Sequence, residues 1–596
     1  MKKQNSGNNA KHRCWSLMVL SCGLCLAVRA VDFPSAGGNL ADPAAWGGSL
    51  PSTSDSIVIN QSGDYTATAD IEFGSLTVAA QGITFDFASG GNHRIRLADG
   101  GNDSFQLLAP TDSLTSFLGG IWDFAGGTPY LAYANQGQIP GKDVLFDGCC
   151  WTNLNRLTIA RGTKAHSTEL LMRGGARVFT KELFVGNTSP RNILRIADGS
   201  SVVVDNGGTD NTTVYVDNDN NGNAPQNAIY VEGSGSALDV RAGKTVLGHK
   251  DMSGILSVTD GATASFGELI IGNNISAQNN CMFVGNGASV TIGTLTARGI
   301  GCSLVVSNAT LALPDAARIG GGLGYSNFTF RAVGETTTFP LNVASSQDVF
   351  CDVSQGNVVA LEQGMQWRVE GSPNLCYGTG GTKSSNVLRV ESNARFAATN
   401  TVNFGERIQA NSVSNQWVVA DGGVVDLPEL RMSGIGNRLV VDSGYVFCTN
   451  RFGASSQILR FGYRHPKATG NPADVGLVLK GANPKVHSTT SVTFANGACL
   501  RFEIPQSGYE DGHCPLTANT ITFDAGTEAS RIEVECTDWL RAGGGTVKLA
   551  QVSANDGLAS LEPALANASL PSGCKLSIRN KALFLKSEKG FILSFR

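Results

Sequence analysis

A short phrase keeps returning along this chain: Leu-x-Val-x-Asp-Gly-(Ala/Ser)-x-Val-x-(Val/Phe/Ile). The clearest copies begin at Leu194 (LRIADGSSVVV), Leu256 (LSVTDGATASF), Met282 (MFVGNGASVTI), Leu304 (LVVSNATLAL), Leu388 (LRVESNARFA), Trp417 (WVVADGGVVDL) and Leu439 (LVVDSGYVF). On each side of the Asp-Gly or Asn-Gly pair, apolar and polar residues alternate. That is the pattern of a strand, a tight turn and a second strand. The copies recur about every twenty to thirty-odd residues, which is the period of a solenoid coil. A unit this small cannot bury its own apolar face, so it stacks on its neighbour.

A second phrase follows many of the first: Glu182-Leu183-Phe184-Val185, Glu268-Leu269-Ile270-Ile271 and Glu429-Leu430-Arg431-Met432. One coil is therefore expected to be strand, turn, strand, turn, Glu-Leu strand and loop. Stacking should place Leu256, Met282 and Leu304 at equivalent inward positions, with Val258, Val284 and Val306 beside them. Composition agrees with many short strands and tight turns. Gly is 73 of 596 residues, hydrophobic residues are 41% and charged residues only 16%, against a usual charged share of about 25%. The expected fold is all-β: a long single-stranded parallel β-helix (a β-solenoid) with capping segments at both ends and no confident helix.

Residues 1–30 read as a signal peptide. Lys2, Lys3, Lys11 and Arg13 lead into an apolar stretch from Trp15 to Val28, and Val28-Arg29-Ala30 suits a cleavage site. About fourteen apolar residues are too few to span a bilayer, which needs about 20. Secretion to the extracellular space or cell surface is expected, with Val31 near the mature N-terminus and no membrane span after signal removal. Residues 31–89 should form an N-terminal cap and first coils, with Trp46 plugging the open core. Residues 90–500 form the repeat region. Residues 501–596 hold the last coils and a closing β element, read from Gly545–Leu549, Lys575–Ile578, Ala582–Leu585 and the final Gly590–Phe595. The coils vary in length mainly in their third loops, for example 205–227 and 320–346, where function is expected to sit.

Losing residues 1–30 removes five basic and no acidic side chains, so acidic residues then exceed basic ones by about nine. A nucleic-acid partner is not expected, since phosphate binding needs a basic surface. Eleven cysteines lie beyond residue 30. Cys351, Cys376, Cys448 and Cys499 match no disulfide framework, and most cysteines read as small buried hydrophobes. Strand parity sets Cys281 and Cys302 on opposite faces. Nothing in the sequence explains the adjacent Cys149-Cys150.

Motifs for chemistry are sparse. No Ser lies in Gly-x-Ser-x-Gly and no His opens His-Glu-x-x-His. His465, His487 and His513 read as polar-loop residues. Glu533 and Glu535 lie two apart on one strand face, about 6.8 Å between Cα atoms. Ile532, Val534 and Cys536 on the other face make the glutamates a solvated stripe rather than a catalytic pair. The best local signal is Asp217-Asn218-Asp219-Asn220-Asn221-Gly222, the first half of a calcium loop. Asp217, Asp219 and Asn221 are its candidate metal ligands, although Ala228 occupies the position where a bidentate Glu belongs. Gly100-Gly101-Asn102-Asp103 is a single unrepeated copy of a calcium-type turn. No other cofactor is indicated.

The opening Trp46-x-Gly-x-x-Pro51, the strand–turn–strand phrases and the Lys-Leu-x-Ile…Leu-Phe-Leu close resemble secreted bacterial β-solenoids. The nearest in style are autotransporter passengers and proteins with autotransporter-associated β-strand repeats. The resemblance implies a right-handed parallel β-helix at the cell surface, structural or adhesive and non-enzymatic, meeting an extracellular glycan or the cell envelope. No translocator barrel follows the solenoid, so export through its own barrel is not expected. The alternative is a polysaccharide lyase or glycosidase on the same fold acting on extracellular polysaccharide. Oligomeric state and ligand identity are not legible.

Overall fold

The computed structural model describes residues 30–588 apart from 90, 102–103, 109–112, 133–138, 163–164, 209–211, 219–224, 251, 275, 298, 314–326, 339–347, 351–354, 370–371, 376–382, 406–411, 454–455, 465–471 and 525–528. The leader, Cys351, Cys376, His465, most of the 320–346 loop and the final Gly590–Phe595 strand therefore lie outside the described residues.

One coil shows how the recurring phrase folds. Ile255–Thr259 is its first strand, and Thr263–Ile271 supplies its second and third. Between them Asp260 and Gly261 both take positive φ, 58° and 78°. Gly has no Cβ to clash there, and Asp tolerates the left-handed backbone through its short polar side chain. Asp198-Gly199, Asn286-Gly287 and Asp421-Gly422 repeat the same geometry. The turns also bond to one another: Gly261 N donates to Asn286 O at 3.1 Å and Gly287 N to Asn308 O at 2.7 Å.

Stacked coils give three faces of parallel strands. The protein is an all-β parallel β-helix. The first face runs strand on strand from Gly38–Asn39 to Arg531–Glu535. Leu256 pairs with Met282 and Met282 with Leu304, while Val258, Val284 and Val306 form the next rung. All six side chains are fully buried, as the repeat register requires. Each such burial stabilises by about 1.5–3 kcal/mol before ordering costs. The second face comprises strands from Ile71–Phe73 to Thr310–Ala312 and, later, from Gln366–Val369 onward. The third carries the Glu-Leu phrases, in Leu183–Asn187, Thr263–Ile271 and Glu429–Met432.

Aromatic side chains cluster at intervals along the core. In the early coils Phe117 meets Trp151 at 5.2 Å between ring centroids, and Trp122 stacks on Trp151 at 5.9 Å. At the first end Trp46, in the short 3-10 turn Pro43–Trp46, packs edge-on to Phe33 at 4.7 Å. Its indole N–H donates to Leu40 O at 2.8 Å, so the ring closes the core with its polar atom satisfied.

At the other end strand Thr546–Val552 pairs antiparallel with Ala582–Ser587, which pairs antiparallel with Cys574–Arg579. Two five-residue α-helices, Thr537–Arg541 and Glu562–Ala566, sit in this element. They correct the expectation of no helix and bury Trp539 and Ala564 against the last coil.

A buried polar ladder runs beside the first face. The residue just before each first-face strand is often Asn, and its Oδ1 accepts the backbone N–H one coil earlier. Phe328 N donates to Asn357, Asn357 N to Asn386, Asn386 N to Asn415 and Asn415 N to Asn437, at 2.8–3.0 Å. A shorter run joins Thr168 N to Asn192 and Asn192 N to Asn227. These groups are buried and hydrogen-bonded in series, which removes the cost of burying an amide.

The cysteines and histidines fall into place on the same faces. Cys302 is buried and Cys281 partly exposed, on opposite faces as parity requires. Cys149 is buried and Cys150 faces outward, paired across the ladder with Arg177. The polar-loop reading of His487 is corrected. It lies within strand Lys485–Phe494, where Val486 and Ser488 point inward and His487 points outward, and its Nδ1 lies 2.8 Å from Thr517 Oγ1.

Candidate functional site

Between the second and third faces each coil turns a concave corner. In the coil of Val424–Leu427 and Glu429–Met432 that corner is Pro428, which has no N–H to continue the strand. Val425, Leu427, Leu430 and Met432 point into the core. Asp426 and Glu429 are consequently left on the outer side, on either side of Pro428.

Both carboxylates lie at the floor of the corner, with side chains only 6% and 5% exposed. Asp426 is clamped by Arg395 and by Arg451, whose Nη1 is 3.1 Å away. Glu429 accepts hydrogen bonds from Arg431 Nε at 2.9 Å and Nη2 at 3.2 Å and from Thr401 Oγ1 at 3.0 Å, and forms an ion pair with Arg460, whose Nε is 3.4 Å away. A buried acid needs such partners. Two carboxylates thus hold four guanidiniums, and the arginines lie at the rim, with Arg451 56% exposed.

Gln366, Trp367, Arg368, Arg395, Ala397, Thr399 and Arg451 line an open groove of about 620 Å³ above Asp426. The strand register extends it sideways. Arg395 is followed on its row by Val424 and Tyr445, and Ala397 by Asp426 and Phe447. Tyr445 and Phe447 are half-buried, with their rings stacked, 6.4 Å between centroids and 1° between planes. An aromatic pair thus sits one coil beyond Asp426, on the rows that carry Arg395 and Ala397 of the groove.

Of the candidate calcium ligands, Asp217 lies among the described residues. Asp217 is fully buried, and its Oδ1 accepts Asn227 N at 3.0 Å and Asn227 Nδ2 at 2.6 Å. It has joined the polar ladder. Gly254 stands where the next ladder side chain would be, and a Cβ there would fall on Asp217 Oδ2. Asp219 and Asn221 lie outside the described residues. Among the described residues no three His, Cys, Asp or Glu side chains gather as metal ligands.

Glu533 and Glu535 keep to the solvated face. Glu533 is held by Arg531 Nε at 2.8 Å, and Glu535 Oε1 accepts Thr537 N at 3.1 Å. The groove lies at the corner, while much of the long third loops 205–227 and 320–346 lies outside the described residues. The groove's signal in the sequence was Asp426-Leu-Pro-Glu429 followed one coil later by Arg451.

No family model matches the chain, and no curated protein matches it. Among the described residues no helix is long and apolar enough to cross a membrane.

Proposed function

We propose that this is an exported, surface-associated or secreted β-solenoid of structural or adhesive role, and that its corner groove binds an acidic extracellular polysaccharide. The observation carrying this reading is the aromatic pair Tyr445–Phe447 on the rows of an arginine-rich groove. A sugar ring presents an apolar face that stacks on an aromatic side chain. A uronate or sulfate presents an anion that an Arg fork takes in two parallel hydrogen bonds. The arginines at Asp426 outnumber its carboxylate, so they retain donors for a ligand. Catalysis is the less supported reading, because each buried carboxylate is already engaged by two guanidiniums rather than poised to move a proton.

The test is binding of the full-length protein to immobilised polygalacturonate and to a neutral galactan across salt concentrations. Selective retention on polygalacturonate that weakens with salt is expected. Arg451→Gln and Tyr445→Ala should each weaken it by about tenfold, equivalent to about 1.4 kcal/mol. Equal retention on both polymers, or retention unchanged by both variants, overturns the reading. Release of unsaturated oligosaccharides would instead make the protein a lyase.

A further inference from the structure

The C-terminal element contains a thiol pair that the polysaccharide reading does not use. Cys536 closes the last first-face strand, Arg531–Glu535, immediately before the helix Thr537–Arg541. Cys574 opens the strand Cys574–Arg579 of the terminal hairpin. The two are 38 residues apart in sequence, yet their Sγ atoms are 3.4 Å apart. Among the described residues no other two cysteines make a sulfur–sulfur hydrogen-bonding contact: Cys448 donates to Pro428 O and Cys514 to Leu516 O. The approach is held from both sides. Ser569 N donates to Ile532 O at 2.9 Å and Val534 N to Ser569 O at 3.0 Å, fixing the returning segment beside the strand that ends at Cys536.

We propose that Cys536 and Cys574 are an oxidation site, forming a disulfide that staples the terminal hairpin to the last coil. The oxidant is a small-molecule disulfide of the glutathione class. Cys574 is partly exposed and Cys536 is buried, so Cys574 is the sulfur the oxidant reaches. Its thiolate attacks glutathione disulfide, forming a mixed disulfide and releasing one glutathione thiolate. Cys536 then gives up its proton to solvent and attacks the Cys574 sulfur, releasing the second glutathione. Overall two thiols lose two protons and two electrons, and glutathione disulfide takes up both. Burial, and then the neighbouring Cys574 thiol, push the Cys536 thiol upward, which makes the second step the slow one. The closed bond restricts a long loop of the unfolded chain and stabilises this end of the solenoid.

The experiment incubates reduced full-length protein with glutathione disulfide, blocks remaining thiols, digests without reductant and identifies peptides by mass. The expected result is one cross-linked peptide pair containing Cys536 and Cys574, two hydrogens lighter than its reduced parts. A rise in melting temperature that reductant reverses should accompany it. Cys574→Ser should abolish both. Because Cys574 is only partly buried, that variant keeps the test sound even where Cys536→Ser fails to fold. Separate alkylation of both cysteines after oxidation, a glutathione adduct that persists on Cys574, or a link from Cys574 to another cysteine each overturns the proposal. None of these readouts depends on polysaccharide binding.

Discussion

The concave corner is built twice along this solenoid, in two ways. In three coils of the first half the chain runs through it without a break, in Ala237–Leu247, Thr263–Ile271 and Ser289–Ala297. Gly243, Gly267 and Gly293 stack at the bend. A Cβ on Gly293 would strike Gly267 O, and one on Gly267 would lie 3.5 Å from Gly243 O. Backbone meets backbone there. In the coil of Val424–Leu427 and Glu429–Met432 Pro428 interrupts the strand, and carboxylates with arginines fill the bend, whereas two coils on Lys485–Phe494 again runs through unbroken. The outward row that reads Phe179, Val203, Asp239 and Ser265 in one half reads Arg368, Ala397, Asp426, Phe447 and His487 in the other. The inward repeat is shared, so it sets the fold. The corner residues vary, so they set what the surface can bind.

Three substitutions probe this contrast. Gly293→Val should have the largest effect, roughly 2–4 kcal/mol lost in denaturant unfolding, since a carbonyl cannot yield to a side chain. A neutral Gly293→Val would mean that the first-half corner is not closed by backbone contact. Asp426→Ala should cost roughly 1–3 kcal/mol, less than a wholly buried pair because the arginines that lose their anion reach solvent. Unchanged stability would show that the second-half corner does not depend on its charge clamps.

The smallest effect is the pH response of His487. Burial, and then Lys485, lower its pKa below the ordinary 6.5. A base whose folded pKa is depressed takes its proton more readily in the unfolded chain. Its stabilising neutral state therefore holds above about pH 6.5 and is lost as pH falls through the lower folded value. His487→Gln should flatten the acid limb of the melting profile between pH 7 and 5. Its row carries Ser265 in the first half, so an equal response after removing His487 would assign the acid limb to other groups.

The coil itself was legible because its determinants are local. Alternation fixed the inward rung of Leu256, Met282 and Leu304, and Asp-Gly fixed the left-handed turns. The polar ladder was not read, because Asn192, Asn357 and Asn386 look like ordinary loop residues until the coils stack. Asp217 illustrates the same point. Its neighbours spell a calcium loop, yet its partners are Asn227, ten residues on, and the space left by Gly254 on the next coil. The groove needed long-range knowledge as well. Arg395 and Arg451 stand 31 and 25 residues from Asp426, about one coil either way. A linear motif cannot express an acid that meets its partners only through the superhelix. Cys536 and Cys574 are separated in the same way.

The terminal hairpin bears on how copies of this molecule meet. A parallel stack has no intrinsic length, since each exposed edge templates one more strand of the same direction. Ala582–Ser587 lies against Thr546–Val552 in the opposite direction and is itself covered by Cys574–Arg579. Two reversals return the edge strand Cys574–Arg579 to the direction of the stack, so direction alone does not close this edge. Its Lys575 and Arg579 place charge where another strand would pair, which disfavours growth into a fibre there.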